Sequence, residues 1–187
     1  MKISNYVFRT ILAIIILLSS IMIFSIQSYA NHPLNDAGKN LAVISRAISF
    51  MQNGPKGVVD MAIVYDPDDK ESLIHGELIE NLLINNKGEG KIRLIGKKVP
   101  IRYLNAYDKY KVIFVSKGVV RKHKRLLELA HERGIVTVST DIDCLDRGGC
   151  LLNVSTSPSV EIAMNNDVAN KTGIRFESAF RMMIVRR

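Results

Sequence analysis

Three short, almost wholly apolar runs, Val58 to Tyr65, Val112 to Ser116 and Ile135 to Ser139, recur with helix-length segments between them. A run of this length closed by turn-forming residues suits a strand buried on both faces, and such strands belong to parallel sheets covered by helices. Asp66-Pro67-Asp68-Asp69 closes the first run and Lys117-Gly118 the second. After the first, Lys70 to Ile84 carries Leu73, Ile74, Leu78, Leu82 and Leu83 at helical spacing, and Asn85, Asn86 and Gly88 stop it. After the second, Val119 to Arg133 turns Leu126, Leu127, Leu129 and Ala130 inward and Arg121, Lys122, Lys124 and Arg125 outward, with Gly134 as its stop. Strand, helix, strand order predicts an α/β fold, a mostly parallel sheet with helices on both faces.

The flanks extend this frame. Leu41, Ile44, Ile48 and Met51 predict an amphipathic helix over Leu34 to Met51, ended by Asn53-Gly54-Pro55. Lys91 to Ile95 and Val99 to Tyr103 are strand-like, and Asn105 to Tyr110 reads as a short connecting turn or helix. Cys150 to Val154 and Val160 to Met164 flank the turn Ser155-Thr156-Ser157-Pro158, which predicts a C-terminal antiparallel β-hairpin at the sheet's edge. Two helices follow, Asn165 to Lys171 stopped by Gly173, and a final amphipathic one over Glu177 to Val185.

The first 30 residues belong to a different class. Lys2 and Arg9 are their only charges, Ile11 to Ile26 is mainly apolar, and Ser28-Tyr29-Ala30 precedes the polar Asn31-His32-Pro33. Small residues at Ser28 and Ala30 occupy the positions a signal peptidase reads, which predicts a secretory signal over 1–30 and a mature start at Asn31. The alternative is an uncleaved anchor, although Ile11 to Ile26 falls short of the roughly 20 apolar residues that span a bilayer. Removing the segment takes two of the 26 basic residues and none of the 18 acidic ones, so the charge falls from +8 to +6. Residues 31–187 suffice for one domain with its own core.

Export bears on the chemistry. Cys144 and Cys150, the only cysteines, stand in Asp-Ile-Asp-Cys-Leu-Asp-Arg-Gly-Gly-Cys, and an oxidising compartment favours a disulfide between them over two buried thiols. Asp66, Asp68 and Asp69 end the first strand, and with Lys117 after the next they invite a phosphoryl-acceptor or metal reading. Phosphoryl donors are cytoplasmic, so these acids read instead as a turn and an acidic helix start. Asp141, Asp143 and Asp146 miss the calcium-loop pattern, because Leu145 and Asp146 take its fifth and sixth positions; no metal site is expected. Arg121-Lys122-His123-Lys124-Arg125 reads as a solvated helix face, with an anionic membrane surface or an acidic partner as the alternative to nucleic acid, which export disfavours. No Gly-x-Ser-x-Gly, His-Glu-x-x-His or glycine-rich phosphate loop occurs, and the four histidines are scattered, so neither an enzyme nor a cofactor is expected.

The C-terminal third carries a resemblance. Val136-Thr137-Val138-Ser139, then Arg147-Gly148-Gly149-Cys150-Leu151-Leu152-Asn153-Val154, then Asn165, Ala169, Gly173-Ile174-Arg175-Phe176 and Ser178 follow in order and spacing a pattern that resembles the YfiR/HmsC-like family of small bacterial periplasmic proteins. Val112-Ile113-Phe114-Val115-Ser116 looks like that family's central strand. The chain departs from the pattern at Phe50-Met51-Gln52-Asn53-Gly54-Pro55, where Trp-Pro is typical, and at Glu177 and Arg181. The resemblance implies a non-catalytic periplasmic regulator that binds, and restrains, the periplasmic portion of a membrane-bound diguanylate cyclase or similar sensor, with a homodimer as a further assembly and biofilm behaviour as the output. Phe176, Phe180, Met182 and Met183 form the candidate partner surface, with core packing as the competing role. A small-ligand-binding protein using the carboxyl edge of the sheet is the alternative function.

Overall fold

The computed structural model describes residues 36–85, 91–106 and 109–187. The signal segment and the start of the first expected helix lie outside the described residues. Helix α1 covers 36–49 and leads through Gln52-Asn53-Gly54-Pro55 into strand β1, Gly57–Tyr65. There follow α2 (Lys70–Asn85), β2 (Ile92–Pro100), a 3-10 helix (Ile101–Ala106), β3 (Val112–Val115), α3 (Val119–Glu132), β4 (Val136–Ser139), α4 (Ile142–Asp146), β5 (Leu152–Ser155), β6 (Glu161–Met164), α5 (Asn166–Thr172), α6 (Ser178–Arg181) and β7 (Val185–Arg186).

The sheet order is β2-β1-β3-β4-β5-β6-β7. The first five strands are mutually parallel, β6 is antiparallel to β5, and β7 is parallel to β6. The α/β class and the mostly parallel sheet agree with the sequence. From β1 the chain winds to β2 on one side, then returns past it to β3, β4 and β5 on the other. Parallel crossovers are right-handed, so opposite winding directions put α2 and α3 on opposite faces. The two cores record this. Met61, Ile63, Val112 and Phe114 pack with Ile44, Ile48 of α1 and Ile79, Leu83 of α2. The alternate residues Ala62, Val64, Ile113 and Val115 pack with Val119, Val120 and Leu127 of α3.

Several elements depart from the sequence reading. The two strand-like pieces around Gly96 are one strand, in register with β1 from Gly57↔Ile92 to Tyr65↔Pro100. Gly96 is not a break: a Cβ there would collide with Leu83 of α2 and lie 2.7 Å from the Ile63 Cδ1, so the missing side chain lets the helix settle on the strand. Tyr103, expected at a strand end, sits in the 3-10 helix. The stretch around Cys144 forms α4, because Asp141 caps it by accepting the Asp143 N–H at 3.2 Å. The expected helix over Glu177 to Val185 keeps one turn only. Val185 and Arg186 pair instead with Ala163 and Met164, and the Arg187 N–H reaches the Met164 carbonyl at 3.0 Å. Sheet pairing thus overrides a helical periodicity too short to sustain itself, and the β5–β6 hairpin is not outermost.

Of the two outer strands, β7 has two residues and β2 has nine. On β2 the Lys98 N–H donates to Glu80 Oε1 of α2 at 2.8 Å, and Ser45 Oγ of α1 donates to the Ile92 carbonyl at 2.8 Å. Ala37–Arg187 is one compact unit. Among the described residues no helix is long and apolar enough to cross a membrane.

Candidate functional site

In open parallel sheets the strand ends diverge where winding reverses, which leaves a crevice at their carboxyl edge. Here that point lies between β1 and β3, and three loops meet there: 66–69 after β1, 116–118 after β3 and 140–143 after β4.

Asp66 is the buried acid of this edge, 3% exposed. Its N–H donates to Ser72 Oγ at 3.0 Å, and its Oδ1 accepts the Asp68 N–H at 3.0 Å. Its Oδ2 faces α3, with Lys122 Nζ at 3.6 Å and His123 Nε2 at 3.2 Å, the latter without the alignment of a hydrogen bond. Burial works to raise this carboxyl's pKa, but the Asp68 N–H, His123 and Lys122 together outweigh it and hold the pKa below the ordinary value. Asp69 accepts the Ser72 N–H at 3.1 Å, capping α2, and lies 3.9 Å from Lys122.

The basic run is therefore only partly a solvated face. Helix α3 loses helical geometry at His123 (φ −123°, ψ 23°), and Lys122 and His123 both address Asp66. Arg121 pairs with Asp143 at 3.1 Å, while Lys124 and Arg125 stay over Glu128 at 3.9 and 3.3 Å. Asp143 also meets Arg147 at 2.9 Å, and the two guanidiniums, Arg121 first, hold its carboxyl below the usual range. Lys117, the lysine expected opposite Asp66, lies 3.9 Å from Glu71 instead.

Gly118 joins two loops of the edge. Its φ of +76° is a left-handed conformation that glycine adopts without strain, and its N–H donates to Asp141 Oδ2 at 3.2 Å. Beside it His75 Nδ1 accepts the Lys117 N–H at 3.0 Å, so the proton of the neutral ring sits on Nε2, 3.3 Å from Thr140 Oγ1. Burial, then the charge of Lys117, lowers the His75 pKa to about 4, which keeps the ring neutral. Ser116 Oγ is buried with no hydrogen-bond partner among the described residues. Alongside runs a shallow, mainly apolar groove of about 550 Å³ lined by Lys70, Glu71, Ile74, His75, Leu78 and Lys117. Ile74 is 54% exposed there.

Behind β4 the two cysteines form a disulfide, Cys144 to Cys150, with Cα atoms 5.3 Å apart. Both are buried, and Gly149 between them packs against Val120 and Leu127 so closely that a Cβ would stand 2.5 Å from Val120 Cγ2. Phe176, Phe180, Met182 and Met183 divide. Phe176 and Phe180 are 2% and 1% exposed; Phe180 stacks on Phe50 at 5.1 Å between ring centres, and Phe176 lies 5.2 Å from it. Met182 and Met183 are 84% and 60% exposed. No group of three or more histidine, cysteine, aspartate or glutamate side chains is placed to hold a metal ion among the described residues.

Sequence reasoning missed Lys122 and His123 as the partners of Asp66. The only hint was a histidine interrupting a basic run, and the backbone departure that turns it inward left no sequence mark.

No protein-family model and no curated protein matches the chain. Solved structures do. The chain is similar to a substrate-binding protein with adhesive properties from Clostridium difficile, in its ligand-free, open form, at 12% identity over 80% of this chain and 58% of that one, with a TM-score of 0.58. It is similar to a conserved domain protein from Vibrio cholerae at 11% identity, over 80% of this chain and 59% of that one, with a TM-score of 0.56. It is also similar to the ABC domain in complex with L-Trp from Streptococcus pneumonia, at 10% identity over 81% and 60% of the two chains and a TM-score of 0.55. The chain thus spans about three fifths of the length of each. At these identities the likeness is one of fold.

Proposed function

We propose that this chain is a non-catalytic periplasmic binding protein that regulates a membrane-bound sensor, with a diguanylate cyclase as the leading case, by contacting the sensor's periplasmic portion. The observation that carries the reading is that the buried and half-buried acids of the carboxyl edge are taken up within the chain. Asp66, Asp69, Asp141 and Asp143 are each satisfied by groups of this same chain. Carboxylates held in this way serve as structure, and the open, mainly apolar groove with exposed Ile74 beside them is a surface for contact. Cross-linking the exported protein in intact cells and isolating it from membranes is the test. Repeated recovery of one integral protein with a periplasmic sensor portion is the expected result, and recovery of none in repeated trials defeats the proposal. Light scattering on the purified protein reads the homodimer that the family resemblance implies.

A second reading, small-ligand binding, is favoured by the fold likeness to proteins described as substrate-binding or held with L-Trp. A thermal-shift screen of amino acids and other small solutes decides it: a specific, saturable rise in Tm supports ligand binding.

A further inference from the structure

The opposite, amino edge of the sheet gathers four exposed cations that make no ion pair among the described residues. Three concavities of about 460 to 530 Å³ adjoin there. The first two meet through the third, which shares Met51 to Pro55 with one and Ser49, Lys91 and Ile92 with the other. Arg46 at the end of α1, Lys56 and Lys91 before β1 and β2, and Lys111 before β3 line them, and all four are exposed. No described residue forms an ion pair with any of the four, whereas Arg121, Lys122, Lys124 and Arg125 of α3 are all engaged. Glu177 is the one carboxylate among the lining residues. Gln52 and Asn53, both exposed, add side-chain amides to the loop the concavities share, and that loop is held by the Gln52 N–H on the Arg175 carbonyl at 2.8 Å.

We infer that this amino-edge trough binds an acidic polypeptide segment of the partner. The inference rests on the proposed function, that the chain works by binding another protein, and adds to the carboxyl-edge groove a second contact at the amino edge, with its chemistry. A flat anionic surface needs charge alone. Successive concavities with spaced cations and amide donors suit an extended chain, whose carboxylates meet Arg46, Lys56, Lys91 and Lys111 and whose backbone meets Gln52 and Asn53. Cations gathered on one surface also repel one another, and a carboxylate-bearing segment relieves that repulsion. The attraction is screened by salt.

The test measures fluorescence anisotropy of a labelled peptide of twelve alternating Glu and Gly residues with the exported protein. It compares wild type, Lys56→Glu/Lys91→Glu/Lys111→Glu, and Arg121→Glu/Lys124→Glu/Arg125→Glu, each checked for native far-UV circular dichroism. Should the triple reversal unfold, Lys56→Gln/Lys91→Gln takes its place. The expected result is saturable binding by wild type that weakens at least tenfold in the amino-edge variant, changes less than threefold in the α3 variant, and fades between 50 and 300 mM salt. Equal loss in both charge-reversal variants, or no binding by wild type at 50 mM salt, overturns the inference. So does sedimentation on phosphatidylglycerol vesicles by a protein indifferent to the peptide, since a membrane is then the occupant. Sensor capture by an amino-edge variant as efficient as wild type would remove this trough while leaving the regulatory reading intact; absence of capture by wild type would remove that reading instead.

Discussion

His131 makes the stability of this protein depend on acid. Its ring is 2% exposed, with Nε2 2.9 Å from Thr137 Oγ1, which itself accepts the Leu151 N–H at 2.9 Å. Burial dominates and lowers its pKa to about 4; the hydrogen bond to the Gly149 backbone only partly opposes this. An unfolded imidazole keeps a pKa near 6.5, so between these values the unfolded chain binds the extra proton and stability rises with pH. The contribution is complete above about pH 6.5 and is lost as pH falls toward 4. At pH 4.5 the unfolded ring is almost wholly protonated and the folded one only about a quarter, so relative to pH 7.5 this single group removes about 2 to 3 kcal/mol. The perturbation is His131→Gln, which keeps a polar group but does not titrate. Urea unfolding followed by far-UV circular dichroism, suited to a chain with no tryptophan, gives ΔG for both proteins at pH 7.5, 6.0 and 4.5. The deficit of the variant should shrink by about 2 to 3 kcal/mol from the first pH to the last, while the contribution of His75, present in both, cancels. Parallel profiles, or an NMR titration midpoint for His131 above 6, would refute the reasoning.

Other perturbations probe separate parts of the fold. Gly149→Ala drives a methyl into Val120 and Leu127 and should cost about 1 to 3 kcal/mol in urea unfolding. Cys144→Ala/Cys150→Ala opens a loop of sequence separation six and should lower stability by about 2 kcal/mol, and added reductant should then leave the variant's Tm unchanged. Asp66→Asn removes the charge facing Lys122 and His123 and should cost about 1 to 3 kcal/mol at pH 7. Because that carboxyl's pKa is lowered by folding, the deficit should close as pH falls through its folded value, and a deficit constant down to pH 3 would argue against the pairing.

The central architecture was legible because it depends on long-lived patterns. Apolar runs such as Val112 to Ser116 admit few alternatives once both faces must be covered, and helical spacing over fourteen or more residues in α2 and α3 is hard to mistake. What escaped was set by neighbours distant in sequence. Gly96 signals a break until Leu83 is known to lie over it. The stretch to Val185 has helical spacing but is captured by β6, and Phe176 and Phe180 cannot be told from Met182 and Met183 by hydrophobicity alone, although only the first pair is buried. At the carboxyl edge the acids were visible and their partners were not, since a basic run does not say which two members turn inward. At the amino edge Arg46, Lys56, Lys91 and Lys111 are scattered over 66 positions of sequence, and only the convergence of four chain segments makes them one surface.

The contact between Glu80 and the Lys98 N–H has a bearing on how molecules of this protein treat one another. A nine-residue outer strand is a growth point, able to enlist a strand from a second molecule and then a third. A carboxylate fixed across one rung occupies the donor an incoming strand would need and places a negative charge in its path. With Ser45 on the Ile92 carbonyl toward the other end, the strand is obstructed at two points along its length. The uncovered side of β2 can thus remain open to solvent without becoming the seed of a fibril.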